Sequence, residues 1–488
     1  MIRQKPANIF NTIVIKNNKI IIETGKIIYY NSISKQIKAG EALDREFAEN
    51  LLKLVIPITI QQIMTALVSV SDAVMLGFLN QDSLSAVSLA GQVQFVFSLF
   101  IFSVTGGVSI LAAQYWGIND KETVEKVMGI GMKIMVPVSA VFSAAAFFFP
   151  RQLMMCFASD TLLIEKGAEY LRTVSLSYLL LGFSQVYLCI MKNCGKAVIG
   201  SLISSSSVAV NIILNWLFIF GIGFFPRLEI AGAALATVIS KAVELAWTML
   251  IMLKKDSIKI RSQYCIHCDK RLEADYRKYA FPVLGNNLVW GIGFTMYSVI
   301  MGHLGSDAAA ANSIANIVKN LAICLCEGIA SASAVLVGAE LGRGLLDKAR
   351  NYGTKLCRIS LICGIASGVI ILCVIPFVPL FASLTEEAQR YLRVMLAVSS
   401  YYVVGKAMNM TVISGIFPAG GDSKFGFKCD TVTMWCVTVP IGLIAAFLLK
   451  LPVTAVYALI NIDEIVKLPV VYKHYKKYKW LKNLTVTE

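Results

Sequence analysis

From about residue 54 onward, long apolar runs fill the chain, each broken by glycine, proline or clustered charge. A helix needs roughly 20 apolar residues to cross a bilayer core. On that measure the runs predict spans at 54–79, 84–113, 128–149, 170–191, 198–224 and 231–253, then at 281–304, 308–338, 355–381, 389–414, 425–449 and 452–471. Tilt absorbs the stretches that exceed a bare crossing. The polar connections alternate in charge. One set is basic: the leader, Lys121 with Lys126 and Lys133, Lys192 with Lys196, a loop near 254–279, Arg343 to Arg358, Lys424 with Lys428, and the tail. The other set (80–82, 226–229, 305–307 and 385–387) is short and acidic or neutral. Lysine and arginine are retained on the cytoplasmic side, so twelve spans with both termini cytoplasmic are expected, in the inner (plasma) membrane.

Composition sharpens this reading. Of 488 residues, 57% are hydrophobic and only 15% charged, and the mean hydropathy is +0.68. A soluble fold carries nearer a quarter charged residues, so a water-soluble fold and a large extramembrane catalytic domain are both excluded. The net charge of +15 reads as a topology signal rather than a nucleic-acid surface. Most of the 12 cysteines fall in apolar stretches and read as small hydrophobes. The one paired spacing, Cys265 and Cys268, lacks the second pair that a zinc site wants, so no metal is expected. Residues 1–50 show no cleavable signal pattern and are read as a basic cytoplasmic leader, disordered or a start-site artefact.

The chain also repeats itself. A shift of 225 positions places Pro57 on Pro282, Gly77 on Gly302, Leu79 on Leu304 and Asp82 on Asp307, with Ser88, Ala90 and Gly117 falling on Ser313, Ala315 and Gly342. Each half holds an even number of spans, so the halves share one orientation. The expectation is an all-α membrane protein of two parallel-repeat, six-helix lobes: 51–253 and 280–472, a linker at 254–279 and a basic tail at 473–488.

Polar residues inside apolar spans are costly, and a few stand out. Asp72 lies in the first span; it either holds a proton, faces a cation or polar partners, or reaches interfacial water. Asn211 and Asn215, four apart, share a helix face, and Thr237 offers a hydroxyl from the next span. These oxygens make a candidate cation site, although asparagine pairs also serve as interhelical glue. Lys319 and Glu327, eight residues apart in the eighth span, are expected to pair or to serve substrate or lobe coupling.

Several local patterns together resemble the multidrug and toxic compound extrusion (MATE) transporters from about Asn50 to Lys473. They are Pro57 followed by Ser71-Asp72-Ala73-Val74-Met75-Leu76-Gly77, Asn211 to Gly221, Gly232 to Ser240, Val337 to Gly342, and Pro418-Ala419-Gly420-Gly421-Asp422-Ser423. The resemblance implies two facing lobes with a central cavity. It also implies alternating-access antiport of H⁺ or Na⁺ against amphipathic or cationic organic compounds. It carries the cation site onto Asp72, Asn211, Asn215 and Thr237, and a hinge onto Pro57. Trp290 and Ala407 stand where sodium-coupled relatives place acids, so the pattern is closer to the DinF-like branch; Trp290 is a candidate substrate or coupling residue. Expected partners are small-molecule substrates and the bilayer, with no nucleic acid and no cofactor, for a monomer. An alternative is a flippase for lipid-linked saccharides, for which Lys319 and Lys406 supply few midspan cations. An embedded enzyme is disfavoured, because His267, His303 and His474 lie at loops or span ends.

Overall fold

The computed structural model describes residues 14–16, 19–21, 27–222, 225–255, 257–266, 268–380 and 384–486. Much of the leader expected to be disordered (1–13, 17–18 and 22–26) lies outside them. The chain divides into two compact units, Met1–Leu52 and Lys53–Glu488. In the first, strands β1 (Val14–Lys16) and β2 (Lys19–Ile21) pair antiparallel, Val14 opposite Ile21. Helix α1 (Ile27–Gly77) starts in this unit, where glutamate, alanine and leucine favour helix over residues 41–52.

The second unit continues with α2 (Gln81–Gly117), α3 (Lys121–Phe148), α4 (Pro150–Met155), α5 (Thr161–Asn193), α6 (Ala197–Phe220), α7 (Glu229–Met252), α8 (Ser262–Ile266), α9 (Lys270–His303), α10 (Ser306–Gly342) and α11 (Leu346–Val374). A 3₁₀ turn at Ile375–Leu380 leads to α12 (Glu386–Asn409), α13 (Phe417–Ala419), α14 (Ser423–Thr431), α15 (Val439–Leu443), α16 (Val453–Ile460) and α17 (Asp463–Tyr475). Capping explains many of the starts. Asn80, Asp120, Asp160, Asp269 and Thr385 each accept a backbone N–H from the first turn that follows. The turns after α5 and after α13 both need a left-handed residue, supplied by Gly195 (φ 74) and Gly421 (φ 77).

Among the described residues, ten helices are long and apolar enough to cross a membrane. The tenth and twelfth predicted spans are less apolar because they carry Lys406, Asp463, Glu464 and Lys467. The twelfth is also broken: α16 ends at Ile460 and α17 begins at Asp463. Helices α12 to α15 are joined by π-helical segments at Met410–Ile416 and Val432–Thr438, and another, Ile444–Leu448, follows α15. No such segment occurs in α2–α7.

The amino lobe packs α2, α3, α5, α6 and α7 together, and the carboxyl lobe packs α10, α11 and α12. Phe97, Met128 and Tyr178 are central to one core, Tyr402, Leu396 and Met434 to the other. Large apolar side chains such as Phe148, Ile362 and Leu448 face outward, as a lipid-facing surface requires. The lobes meet where α2 lies along α9 and α10. A Cβ on Gly117 would run into the Ala339 carbonyl, and one on Gly342 into the Gln114 carbonyl. These contacts exchange under the shift of 225, so a pseudo-twofold axis passes between α2 and α10. On this basic face Gln114 also grips the tail. Its Nε2 donates to Ala419 O (2.6 Å) and Lys482 O (3.2 Å), and its Oε1 accepts from Leu484 N (2.7 Å). The tail anchors itself through Trp480, which is fully buried.

Candidate functional site: an amide-held carboxylate and a charged central cavity

Asp72 lies five residues before the end of α1, on the half-buried side facing α6. Its Oδ1 accepts from Asn215 Nδ2 at 2.6 Å. Asn215 Nδ2 also donates to Asn211 Oδ1 (3.3 Å), whose own Nδ2 donates to Thr237 Oγ1 (3.3 Å). The helical spacing of 211 and 215 and the packing of α6 on α7 create this chain. All four residues predicted for the cation site therefore come together. Tyr170 of α5, buried beside Asp72 and Thr237, closes the cluster. One detail bears on chemistry: Asn215 Oδ1 is buried and finds no hydrogen-bond partner. A carboxylate beside an unsatisfied carbonyl oxygen suits an incoming cation or proton, because either would neutralise the acid and fill the open acceptor. Pro57 sits lower on α1, where its carbonyl accepts the Ser201 hydroxyl of α6.

A cavity of about 370 Å³ opens between the lobes. Trp290 and Glu327 line it, as do Lys192, Lys406, Asp430, Glu464 and Lys467. Trp290 stacks on Phe294 at 5.5 Å, with the Lys406 ammonium 5.0 Å above its ring. Part of this wall is a dense charge network. Lys467 Nζ is held by Asp430 (2.9 Å), Glu464 (3.1 Å) and Asp463 (3.5 Å), and Lys406 Nζ meets Glu464 at 3.1 Å. Asn409 donates to both the backbone O (2.6 Å) and Oε2 (2.8 Å) of Glu464.

The expected pairing of Lys319 with Glu327 does not form. Eight residues leave the side chains about a quarter-turn apart, and each finds another partner. Glu327 accepts from Gln62 of α1. Lys319 points at the rings of Tyr402 (5.0 Å) and Phe294 (5.8 Å) and is not among the residues lining the cavity. On the basic face, Cys268 Sγ donates to the Tyr264 carbonyl at 3.0 Å, and burial pushes both the Cys265 and Cys268 thiols above their ordinary range.

Comparison with known proteins adds the lineage. The MatE family model matches twice, over residues 57–217 and 282–444. The matches begin 225 residues apart, the shift that superposes the two halves. The chain belongs to the MatE family. Among curated relatives of this MatE protein is the uncharacterized transporter YisQ of Bacillus subtilis, 21% identical over 92% of this chain and 98% of its own length. The probable multidrug resistance protein NorM of Thermotoga maritima is 20% identical over 91% and 95%. Among solved structures, a MOP superfamily transporter from Pyrococcus furiosus, described as having a binding pocket of reversed polarity, has a TM-score of 0.80. It is 20% identical, with 90% of this chain and 96% of that one covered. The MatE fold, twelve transmembrane helices in two lobes, is thus shared.

Within that fold, sequence reasoning missed Tyr170, Asp430, Asp463, Glu464 and Lys467. The acid–acid–x–x–lysine pattern at 463–467, inside an otherwise apolar span, is the signal that could have found the last three. Lys192, one of the basic topology charges, also lines the cavity.

Proposed function

We propose that this protein is a secondary active efflux transporter that exports amphipathic small molecules in exchange for H⁺ or Na⁺. The lobes 51–253 and 280–472 alternate access to the central cavity. Asp72, held by Asn215 next to an unsatisfied amide oxygen, is the observation that carries the reading. A cation or proton arriving there relieves both groups and shifts the outward–inward equilibrium through the α1–α6 contact at Pro57. Each positive charge moving inward gains about 2.3 kcal/mol per 100 mV, roughly fiftyfold accumulation. The basic face is cytoplasmic in this reading, the membrane is the plasma membrane, and one chain, holding both lobes and the whole cavity, is the working unit.

Charge weighs against a saccharide flippase. Of the three cavity lysines, Lys406 and Lys467 are already neutralised by carboxylates, leaving little for a pyrophosphate. The test is efflux of a fluorescent amphiphile from energised vesicles with Na⁺ and pH gradients imposed separately. One gradient should drive export; export driven by neither would overturn the reading.

A further inference from the structure

A second cavity, of about 220 Å³, lies beside the tail and shares no lining residue with the central one. Three segments wall it: α9 at Lys278 and Tyr279, the glycine turn with the start of α14, and the tail. Its charged lining is four lysines, Lys278, Lys424, Lys479 and Lys482, against one acid, Asp422. Asp422 is already engaged, with its Oδ2 2.7 Å from His474 Nε2. None of the four lysines has an ion-pair or hydrogen-bond partner among the described residues; Lys278 Nζ lies 5.4 Å from the centre of the Tyr279 ring. Retention of charge on one face of a membrane needs basic residues there, but it does not need them gathered round one hollow. Here the backbone gathers them. Ser423 Oγ donates to the Tyr279 carbonyl at 3.0 Å, joining the chain neighbours of Lys424 and Lys278. Trp480, next to Lys479, is fully buried, and the Lys482 carbonyl accepts from Gln114. Gly421 closes the corner: a Cβ there would lie 2.7 Å from Tyr279 Cε1 and 3.2 Å from Leu484 Cδ2.

We propose that this pocket binds a phosphate-bearing anion of two or more negative charges, supplied by a phosphomonoester lipid headgroup or by a soluble diphosphate. Lysines present point charges, whereas the planar fork of arginine suits paired carboxylate oxygens, and no arginine lines the pocket. A singly charged group leaves most of the ammoniums unmatched; a phosphomonoester brings close to two charges near neutral pH. Basic pockets among helix ends at a membrane surface take such headgroups. Because the lysines come from three segments, the bound anion ties the tail to α9 and α14. This inference goes beyond the transport reading and asks nothing of Asp72 or of the central cavity, so the two stand or fall separately.

The probes are inorganic pyrophosphate, dioctanoyl phosphatidic acid and, as the singly charged comparison, dioctanoyl phosphatidylglycerol. Binding to the detergent-purified full-length protein is followed by thermophoresis. At least one of the two multiply charged probes should bind at least tenfold tighter than phosphatidylglycerol. Lys278→Gln with Lys482→Gln should abolish that advantage. Lys476→Gln with Lys477→Gln, which sheds the same charge from the tail outside the pocket, should keep it. Binding of phosphatidic acid alone supports the site with a lipid as its source; pyrophosphate binding as tight or tighter supports it with a soluble phosphate. No preference for either multiply charged probe, an advantage that survives Lys278→Gln with Lys482→Gln, or an equal loss in both double variants would overturn the inference, the last by showing a diffuse basic surface.

Discussion

In the amino lobe, Asp72 is met by one amide, and the next oxygen along, Asn215 Oδ1, is left without a donor. In the carboxyl lobe, Asp430, Asp463 and Glu464 surround the Lys467 ammonium, with Lys406 adding a second positive charge. The repeat carries Asp72 onto Tyr297, so the acids of the second lobe come from other positions, chiefly its last span, and arrive with their own lysine. An acid that leans only on amides can exchange a cation with solvent. An acid whose counter-charge is covalently part of the next turn cannot, since losing that charge would leave buried carboxylates unpaired. On the proposed reading, one fold yields an exchangeable site on one side and a locked one on the other. The π-helical segments around Asn409 and Val432, which adjoin the locked network, are also confined to that side.

The contrast can be broken most violently at Lys467. Lys467→Met leaves the buried Asp430 and Asp463 carboxylates without their ion-pair partner, Glu464 keeping Lys406, and should cost about 3–5 kcal/mol, read as a large drop in the thermal midpoint of the detergent-purified protein. A drop no greater than that of Asp72→Asn would show that the network is not a lock. Next, Asn215→Lys would give the amino lobe its own resident ammonium beside Asp72. Gradient-driven efflux should fall more than tenfold, and normal efflux would mean that a fixed charge there is tolerated.

Smaller effects concern how the lobes are held. Gln114→Ala removes three hydrogen bonds to the backbone at 419, 482 and 484, worth about 1.5–4.5 kcal/mol together. A cysteine introduced at Leu484 should then label several-fold faster; an unchanged labelling rate would contradict the tail's role as a tie. The smallest change is Ser201→Ala, which deprives the Pro57 carbonyl of its hydroxyl donor. It should lower stability by about 0.5–1.5 kcal/mol in a chemical-denaturation series, with a shift above that range pointing to a larger rearrangement of α1.

These regions were unequally legible in the sequence. The spans and the repeat follow from apolar run length and a fixed shift, and the Asn211–Asn215 pair from a four-residue helical spacing; Asp72 and Thr237 join them as polar residues inside apolar spans, at positions the MATE resemblance implies. Tyr170 did not stand out, because a tyrosine in an apolar span looks like packing until its neighbours on α1 and α7 are known. The locked network was harder still. Lys467 reaches Asp430 across 37 residues, and only the packing of α17 against the segment following α14 makes that a contact. The Lys319–Glu327 pairing failed for a related reason. Spacing along one helix says which face a side chain takes, not that Gln62 of α1 and Tyr402 of α12 stand closer.

The most direct measurement compares two modes of transport by Asp72→Asn in proteoliposomes: substrate counterflow, which needs no net ion movement, and efflux driven by an imposed ion gradient. If Asp72 is where the ion is exchanged, counterflow persists while the gradient-driven component disappears. Efflux that still follows the gradient in Asp72→Asn would contradict the account.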